Sequence, residues 1–301
     1  MEKEMIHSLI RNVLQLVDPV ITDIRRTPGG MTNNSYFVTV NGEKYVVRIP
    51  GSGTDELIDR YAEKDNLIYG TELGINPELV YFDVDSGIKI TRKIESSKTL
   101  TPELARKGQM MKEIITVFQR LHHSKTIMKN RFQLFLLMNH YESLVNKVNP
   151  LMMEKVAPIK DDILDLKKVY ESFDVKEVPC HIDTVPANFI IDTSDQIYLI
   201  DWEYSGMFDP MWDLATLFVS LSFTEEEELF FLTHYLEREP DQEEMQRILL
   251  HKVFQDYLWS LWTFYKEAKG DDFGSTAIKR IERAVKNIAE YHTIYNQNNV
   301  V

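Results

Sequence analysis

Apolar residues at Met5, Ile6, Leu9, Ile10, Val13, Leu14 and Val17 recur at helical spacing with charges between them, so an amphipathic helix opens the chain. The pattern then changes to short β-rich runs over 20–25, 35–40 and 44–49. Asn41-Gly42 separates the last two, and that pair between alternating apolar runs predicts a hairpin. Helical spacing returns over 55–73 through Leu57, Ile58, Tyr61, Leu67 and Ile68 and stops at Gly74, after which strands are predicted at 79–82 and 88–92. From Thr101 onward the chain reads mainly as helix, over 104–122, 133–148, 162–172, 212–221, 225–236, 243–269 and 276–292. Thr224 followed by Glu227 predicts a capping box at the start of one of these. One β-like island lies among them, over 178–201, where Phe189-Ile190-Ile191 and Tyr198-Leu199-Ile200 flank a polar turn. A sheet-rich part of about 90 residues followed by a helical part predicts two lobes, and a binding site in the cleft between lobes is the expectation.

Composition narrows the function. Lys and Arg total 34 against 47 Asp and Glu, a net charge of −13, and 44% of residues are apolar. That balance argues against coating nucleic acid or an anionic membrane, while a local basic pocket for a phosphorylated small molecule remains compatible with it. The single cysteine, Cys180, excludes an intrachain disulfide framework and a cysteine-based zinc site. The first helix lacks the layout of a signal peptide, and no run approaches the roughly 18 apolar residues of a membrane span. A cytoplasmic protein is therefore expected, with no nucleic-acid partner and no membrane insertion.

The densest polar constellation is Cys180-His181-Ile182-Asp183-Thr184-Val185-Pro186-Ala187-Asn188, with Asp201 thirteen residues later in Leu199-Ile200-Asp201-Trp202-Glu203. Phosphoryl transfer from a nucleotide needs a carboxylate to orient or deprotonate the attacking hydroxyl, and oxygen ligands to hold magnesium against the phosphates. Asp183 meets the first need. Asn188 and Asp201 stand at the two ends of a short hairpin, which returns its ends to within a few Å of each other and so suits them to one ion.

These residues carry a family resemblance. The chain resembles the choline/ethanolamine kinase and aminoglycoside phosphotransferase superfamily, most closely the bacterial LicA-type choline kinases, over nearly its whole length. Further elements that carry it are Gly29-Gly30-Met31-Thr32-Asn33, Tyr45-Val46-Val47-Arg48-Ile49-Pro50-Gly51, Glu72-Leu73-Gly74-Ile75, Asp201-Trp202-Glu203-Tyr204-Ser205-Gly206, Asp209-Pro210-Met211-Trp212-Asp213-Leu214-Ala215 and Trp259-Ser260-Leu261-Trp262. The resemblance implies an α+β, two-lobed protein-kinase-like fold, with a small N-terminal antiparallel-sheet lobe over 1–93 that binds nucleotide. A larger, mainly helical C-terminal lobe over 94–301 would hold the catalytic loop and substrate pocket. It implies a choline kinase using ATP and Mg2+ to make phosphocholine, with Asp183 as catalytic base and Asn188 and Asp201 as metal ligands.

On the nucleotide side, Gly29-Gly30 permits a tight turn whose N–H groups approach phosphate, with Thr32 and Asn33 as further donors. Arg48 resembles the basic residue that holds nucleotide phosphates, and Glu63 is its expected partner, with Asp59 and Asp65 competing. The adenine is expected near the backbone of 91–95. His181 is expected to brace the loop, Asp209 and Asp213 to support loops and cap helices, and Cys180 to fill buried space.

On the substrate side, Trp259 and Trp262 are at i and i+3 of one helix and share a face. They resemble the walls of a box for a quaternary ammonium, where cation–π contacts act, and Tyr204 and Glu203 are further candidates as aromatic wall and anionic neighbour. Two positions depart from the choline-kinase pattern. Ser220 stands where an acid facing the ammonium is common, and Ile278 where another tyrosine wall is common. Choline, ethanolamine and a related amino alcohol therefore stay open as acceptors, with an aminoglycoside kinase or an inactive nucleotide- or choline-binding protein as alternatives.

Overall fold

The Asn41-Gly42 pair forms the predicted tight turn, joining β2 (Asn33–Val40) to β3 (Glu43–Pro50) in continuous antiparallel register from Val40 opposite Glu43 to Asn33 opposite Pro50. With β1 (Ile21–Arg26), β4 (Leu79–Phe82) and β5 (Lys89–Arg92) these strands make a five-stranded sheet in the order β1-β2-β3-β5-β4, each neighbour antiparallel. The computed structural model describes residues 2–16, 18–27, 33–51 and 58–296. By packing, the chain divides into two compact units, residues 1–130 with 185–206, and residues 131–184 with 207–301.

In the first unit, α1 (Glu2–Val13) lays Ile6 and Ile10 onto the sheet, against Tyr36, Val38, Val40, Tyr45, Val47 and Ile90. That i, i+4 pair defines the buried stripe, and Met5, about 100° round the helix, is exposed. Helix α2 (Arg60–Glu72) starts where the Asp59 carboxylate accepts the N–H groups of Tyr61 and Ala62. Its buried face differs from the apolar stripe read from sequence: Tyr61 and Ile68 are exposed, while Arg60, Glu63, Asn66, Leu67 and Gly70 are buried at three- and four-residue spacing. A face with charged residues can be buried only where those charges are paired, and the pairing is described below.

The helix expected over 104–122 is two helices, α3 (Pro102–Ala105), capped by Thr101, and α4 (Gly108–His122). The island hairpin is present as β8 (Phe189–Ile191) and β9 (Ile197–Leu199), and its turn is closed by the Asp192 carboxylate, which accepts from the N–H groups of Ser194 and Gln196. The short strand β6 (Lys98–Thr99) adds to the other edge of β8. The Leu199 N–H donates to the carbonyl of Ile75 at 2.6 Å, and Phe189 meets Phe118 edge to face, which fix the hairpin in this unit.

The second unit is built on the 27-residue helix α9 (Gln242–Ala268), which α5 (Leu134–Val148), α6 (Met153–Tyr170), α7 (Pro210–Leu221) and α10 (Thr276–Tyr291) pack against. Helix α6 begins nine residues before the expected start and runs through Pro158. Helix α8 (Glu225–Leu236) has the predicted Thr224–Glu227 capping box, and Asp241 with Glu244 makes a second one at α9. The strands β7 (Val178–Cys180) and β10 (Gly206–Phe208) pair with each other. No helix among the described residues is long and apolar enough to cross a membrane.

Candidate active site

Arg48 on β3 and Lys89 on β5 are directly opposed in the sheet, a like-charge pair that is unfavourable by itself. Glu63 on α2 resolves it. Its carboxylate is 2.5 Å from Arg48 Nη1 and 3.7 Å from Lys89 Nζ, and it accepts a 2.7 Å hydrogen bond from Arg60 Nη1. Asp201 and Glu203, both in the segment after β9, complete the cluster: Asp201 is 3.3 Å from Arg48, and Glu203 is 3.6 Å from both Arg48 and Arg60. The Asn33 amide, at the start of β2, donates to Glu203 at 3.3 Å. The three cations and three carboxylates are formally neutral together, which makes their burial tolerable.

Burial alone would push the Glu63 carboxyl up, but Arg48 first, then Lys89 and Arg60, hold it down at about 2. Arg48 is raised by Glu63, Asp201 and Glu203 against the opposing effect of burial. Lys89 is lowered, by burial first and then by Arg48. Glu203 is raised, because burial and the neighbouring Asp201 outweigh Arg48. The other two candidate partners of Arg48 are engaged elsewhere: Asp59 caps α2, and Asp65 pairs with Lys129 at 2.8 Å. Gly29, Gly30 and Thr32 lie outside the described residues. Arg60 and Lys89 were not singled out from the sequence, where neither sits in a motif.

The hairpin brings Asn188 and the segment leading to Asp201 together, since the Asn188 carbonyl accepts the Ile200 N–H at 3.0 Å. Asn188 is buried in a short 3-10 turn, and Asp201 is partly exposed with a φ of 68°. An amide and a carboxylate oxygen on adjacent hairpin ends are hard donors of the kind magnesium takes, so the residues present fit that ion. Carboxylate oxygens of Glu63, Asp201 and Glu203 also lie within 4.8 Å of one another. We do not read that trio as a metal centre, because Arg48, Arg60 and Lys89 already neutralise it.

In the second unit, the loop carrying Asp183 is held by its backbone. Ile182 has a φ of 72°, a conformation a β-branched residue rarely adopts. The Asp213 carboxylate accepts the N–H groups of His181 and Ile182, each at 2.8 Å, and the Trp212 indole donates to the Ile182 carbonyl at 3.0 Å. The Thr184 hydroxyl donates to the Asp213 carbonyl at 2.6 Å. His181 and Cys180 are wholly buried, and Asp183 itself is partly exposed. Asp209 caps α7 through the Met211 N–H and also accepts from Arg247 and His251, at 2.7 and 2.8 Å.

Trp259 is partly exposed and Trp262 is buried, its ring 5.3 Å from that of Phe273. Among the described residues the Trp262 indole N–H has no hydrogen-bond partner. Arg280 on α10, unmarked by any motif, donates from Nη1 to the Trp259 carbonyl at 2.9 Å and to the Thr263 hydroxyl at 3.1 Å. Its guanidinium is lowered by burial, while Asp256 and Asp183 pull the other way. Ser220 lies in the last turns of α7, and Ile278 on α10 is exposed. Tyr204, partly exposed, and Glu203 belong to the first unit, where the Glu203 carboxylate faces Arg48 and Arg60.

An N-terminal antiparallel sheet with a buried strand-to-helix Arg–Glu pair, a His-x-Asp loop pinned through its backbone and a following hairpin that ends at an aspartate define a kinase-like phosphotransferase. The choline/ethanolamine kinase family model matches residues 24–292. The chain belongs to the choline/ethanolamine kinase family. Protein LicA of Haemophilus influenzae is 32% identical over 273 residues, covering 87% of this chain and 79% of that protein. The crystal structure of choline kinase LicA from Streptococcus pneumoniae superposes with a TM-score of 0.79 at 36% identity, covering 96% of this chain and 99% of that one. A crystal structure of LicA in complex with AMP has a TM-score of 0.77 at 36% identity, covering 96% and 98%.

Proposed function

We propose that this chain transfers the γ-phosphoryl group of ATP to the hydroxyl of choline, giving phosphocholine and ADP. The observation that supports this most directly is the Asp183 loop: three hydrogen bonds at its backbone groups and one from the Thr184 hydroxyl, all with Asp213 and Trp212, hold it around a strained Ile182, a cost that a plain connecting loop would not carry. Membership of the family and similarity to a LicA choline kinase support the acceptor class.

In this reading the Asp183 carboxylate accepts the hydroxyl proton as the new O–P bond forms and the bond from the γ-phosphorus to the bridging oxygen breaks, leaving ADP. Asn188 and Asp201 would hold Mg2+, which when bound neutralises charge on the phosphates. Arg48, oriented by Glu63, binds nucleotide phosphate, and Gly29, Gly30, Thr32 and Asn33 are proposed as further phosphate donors. Residues 1–93 serve the nucleotide, and residues 94–301 serve catalysis and the acceptor. Trp259 and Trp262 offer aromatic surface to the ammonium group, with Tyr204 as a further candidate, whereas the Glu203 carboxylate is committed to Arg48 and Arg60. Dependence on ATP fits a cytoplasmic enzyme. Ser220 in place of an acid and Ile278 in place of an aromatic wall make ethanolamine the second acceptor to test.

The test is ATP-dependent product formation with magnesium against choline, ethanolamine and an aminoglycoside, for the wild type, Asp183→Asn and a Trp259→Ala, Trp262→Ala double variant. Asp183→Asn is expected to lose about a hundred- to ten-thousandfold in turnover, and the double variant to lose choline preferentially. Wild-type turnover by Asp183→Asn sinks the base assignment, and an inert wild type with all three acceptors sinks the enzymatic reading.

A further inference from the structure

Arg48 has a second anchor that no motif announces. Its Nη2 donates to the carbonyl of Gly87 at 3.1 Å, while Nη1 faces Glu63. Gly87 lies in the turn between β4 and β5, has a φ of +67°, and presses on the charged cluster so closely that a Cβ there would stand 2.7 Å from Pro50 Cγ and 2.8 Å from Arg60 Nε. Only a residue without a side chain fits both the conformation and the contact. The same hairpin supplies the Phe82 ring, whose centre is 6.0 Å from the Arg48 guanidinium carbon, and Lys89, opposite Arg48 in register.

The turn is tied internally. The Asp83 N–H donates to the Ile88 carbonyl at 2.9 Å and the Gly87 N–H to the Asp83 carbonyl at 2.8 Å. The Ser86 hydroxyl donates to the Asp83 carboxylate at 2.5 Å and accepts from the Ile88 N–H at 3.3 Å. The Gly87 carbonyl is therefore a fixed point. A planar guanidinium held at one nitrogen swivels about that contact, whereas acceptors at both terminal nitrogens fix its plane. Glu63 from α2 and Asp201 from the segment after β9 both meet Nη1, and Gly87 supplies the acceptor for Nη2 from the hairpin.

We propose that the β4–β5 turn, through the Gly87 carbonyl, is a positioning device for Arg48 and thereby sets affinity for nucleotide phosphate. The proposal rests on the reading of Arg48 as a phosphate-binding residue. Gly87 is a positioning residue in this scheme, since it acts through Arg48. A turn that merely closed a hairpin would affect stability alone, and a positioning turn affects nucleotide binding selectively.

The experiment compares the wild type with Gly87→Ala, which drives a Cβ into Pro50 and Arg60, and Ser86→Ala, which loosens the turn without a clash. ADP affinity by calorimetry, KM for ATP, KM for choline and thermal melting are read for each. Loss of one charge-assisted hydrogen bond predicts that Gly87→Ala weakens ADP affinity and raises the KM for ATP about fivefold or more, with the KM for choline held within about twofold. Ser86→Ala should move the nucleotide terms in the same direction by about two- to threefold while melting near the wild type. If Gly87→Ala does not fold, Ser86→Ala decides alone. Unchanged ADP affinity in the folded variants overturns the proposal, whatever their melting temperatures. If the wild type binds ADP yet phosphorylates no amino alcohol, the proposed reaction fails while the ADP comparison still decides the role of Gly87. A wild type that does not bind ADP overturns both.

Discussion

Asp213 accepts the backbone N–H of Ile182 at 2.8 Å, which ties the residue before Asp183 to the first turn of α7. The same carboxylate accepts the N–H of His181, and the Trp212 indole N–H donates to the Ile182 carbonyl, so the left-handed Ile182 is held at both its backbone groups. The local strain is of the order of 1 to 3 kcal/mol and is offset by these buried hydrogen bonds. The arrangement places the side chain of Asp183 by fixing the backbone beside it.

Asp213→Asn tests this. An amide offers one oxygen where two N–H groups need acceptors, and its own N–H2 turns toward one of them. A buried donor left unpaired costs about 1 to 3 kcal/mol, so the melting temperature is expected to fall. Turnover is expected to fall about ten- to a hundredfold, since misplacing a reacting group by an ångström costs on that scale, with little change in the KM for ATP. Steady-state kinetics beside thermal melting check it. Normal turnover in a destabilised variant would show that the brace serves folding alone.

The buried Glu63 gives a pH signature. Its carboxyl is lowered from 4.5 to about 2 in the folded protein. A lowered carboxylate contributes stability that is fully present above the unfolded value and is lost as pH falls from about 4.5 toward 2, on the order of 3 kcal/mol in total. Glu63→Gln lacks this contribution and leaves Arg48 without its closest anion, costing about 3 to 5 kcal/mol near neutral pH. Chemical denaturation from pH 7 downward is expected to show the gap between wild type and variant narrowing below about pH 4.5. A gap that stays constant down to pH 3 would count against the pairing.

Arg280 links two parts of the second unit. It holds the Trp259 carbonyl and the Thr263 hydroxyl, and its charge is felt by Asp183. Arg280→Met should raise the KM for choline about fivefold by releasing the Trp259 turn. Arg280→Lys keeps the charge but lacks the planar fork, so it should recover the KM only in part. A change in melting temperature with no change in the KM would mark Arg280 as a packing residue.

What the sequence determined by itself was local. The Asn41-Gly42 turn, the Thr224–Glu227 capping box and the bounds of α8 depend on groups within four residues of each other, so their signal is complete in a short window. The Arg48–Glu63 pair and the bracing role of Asp213 were legible as well, through family motifs that record a tertiary arrangement in residue spacing. Tertiary structure alone decided the rest. Strand β6 is two exposed residues with no pattern of their own, and it exists because β8 offers an edge. The polar buried face of α2 inverts the apolar rule, because Arg60 is paired with Glu203 from the segment after β9 and Glu63 with Arg48 and Lys89 of the sheet. Gly87 reads as an ordinary turn glycine until the fold sets its carbonyl against Arg48. A buried charge is tolerated only when its partners arrive together, and that meeting is a property of the folded chain, since distant partners leave no mark on one another's neighbourhoods in sequence.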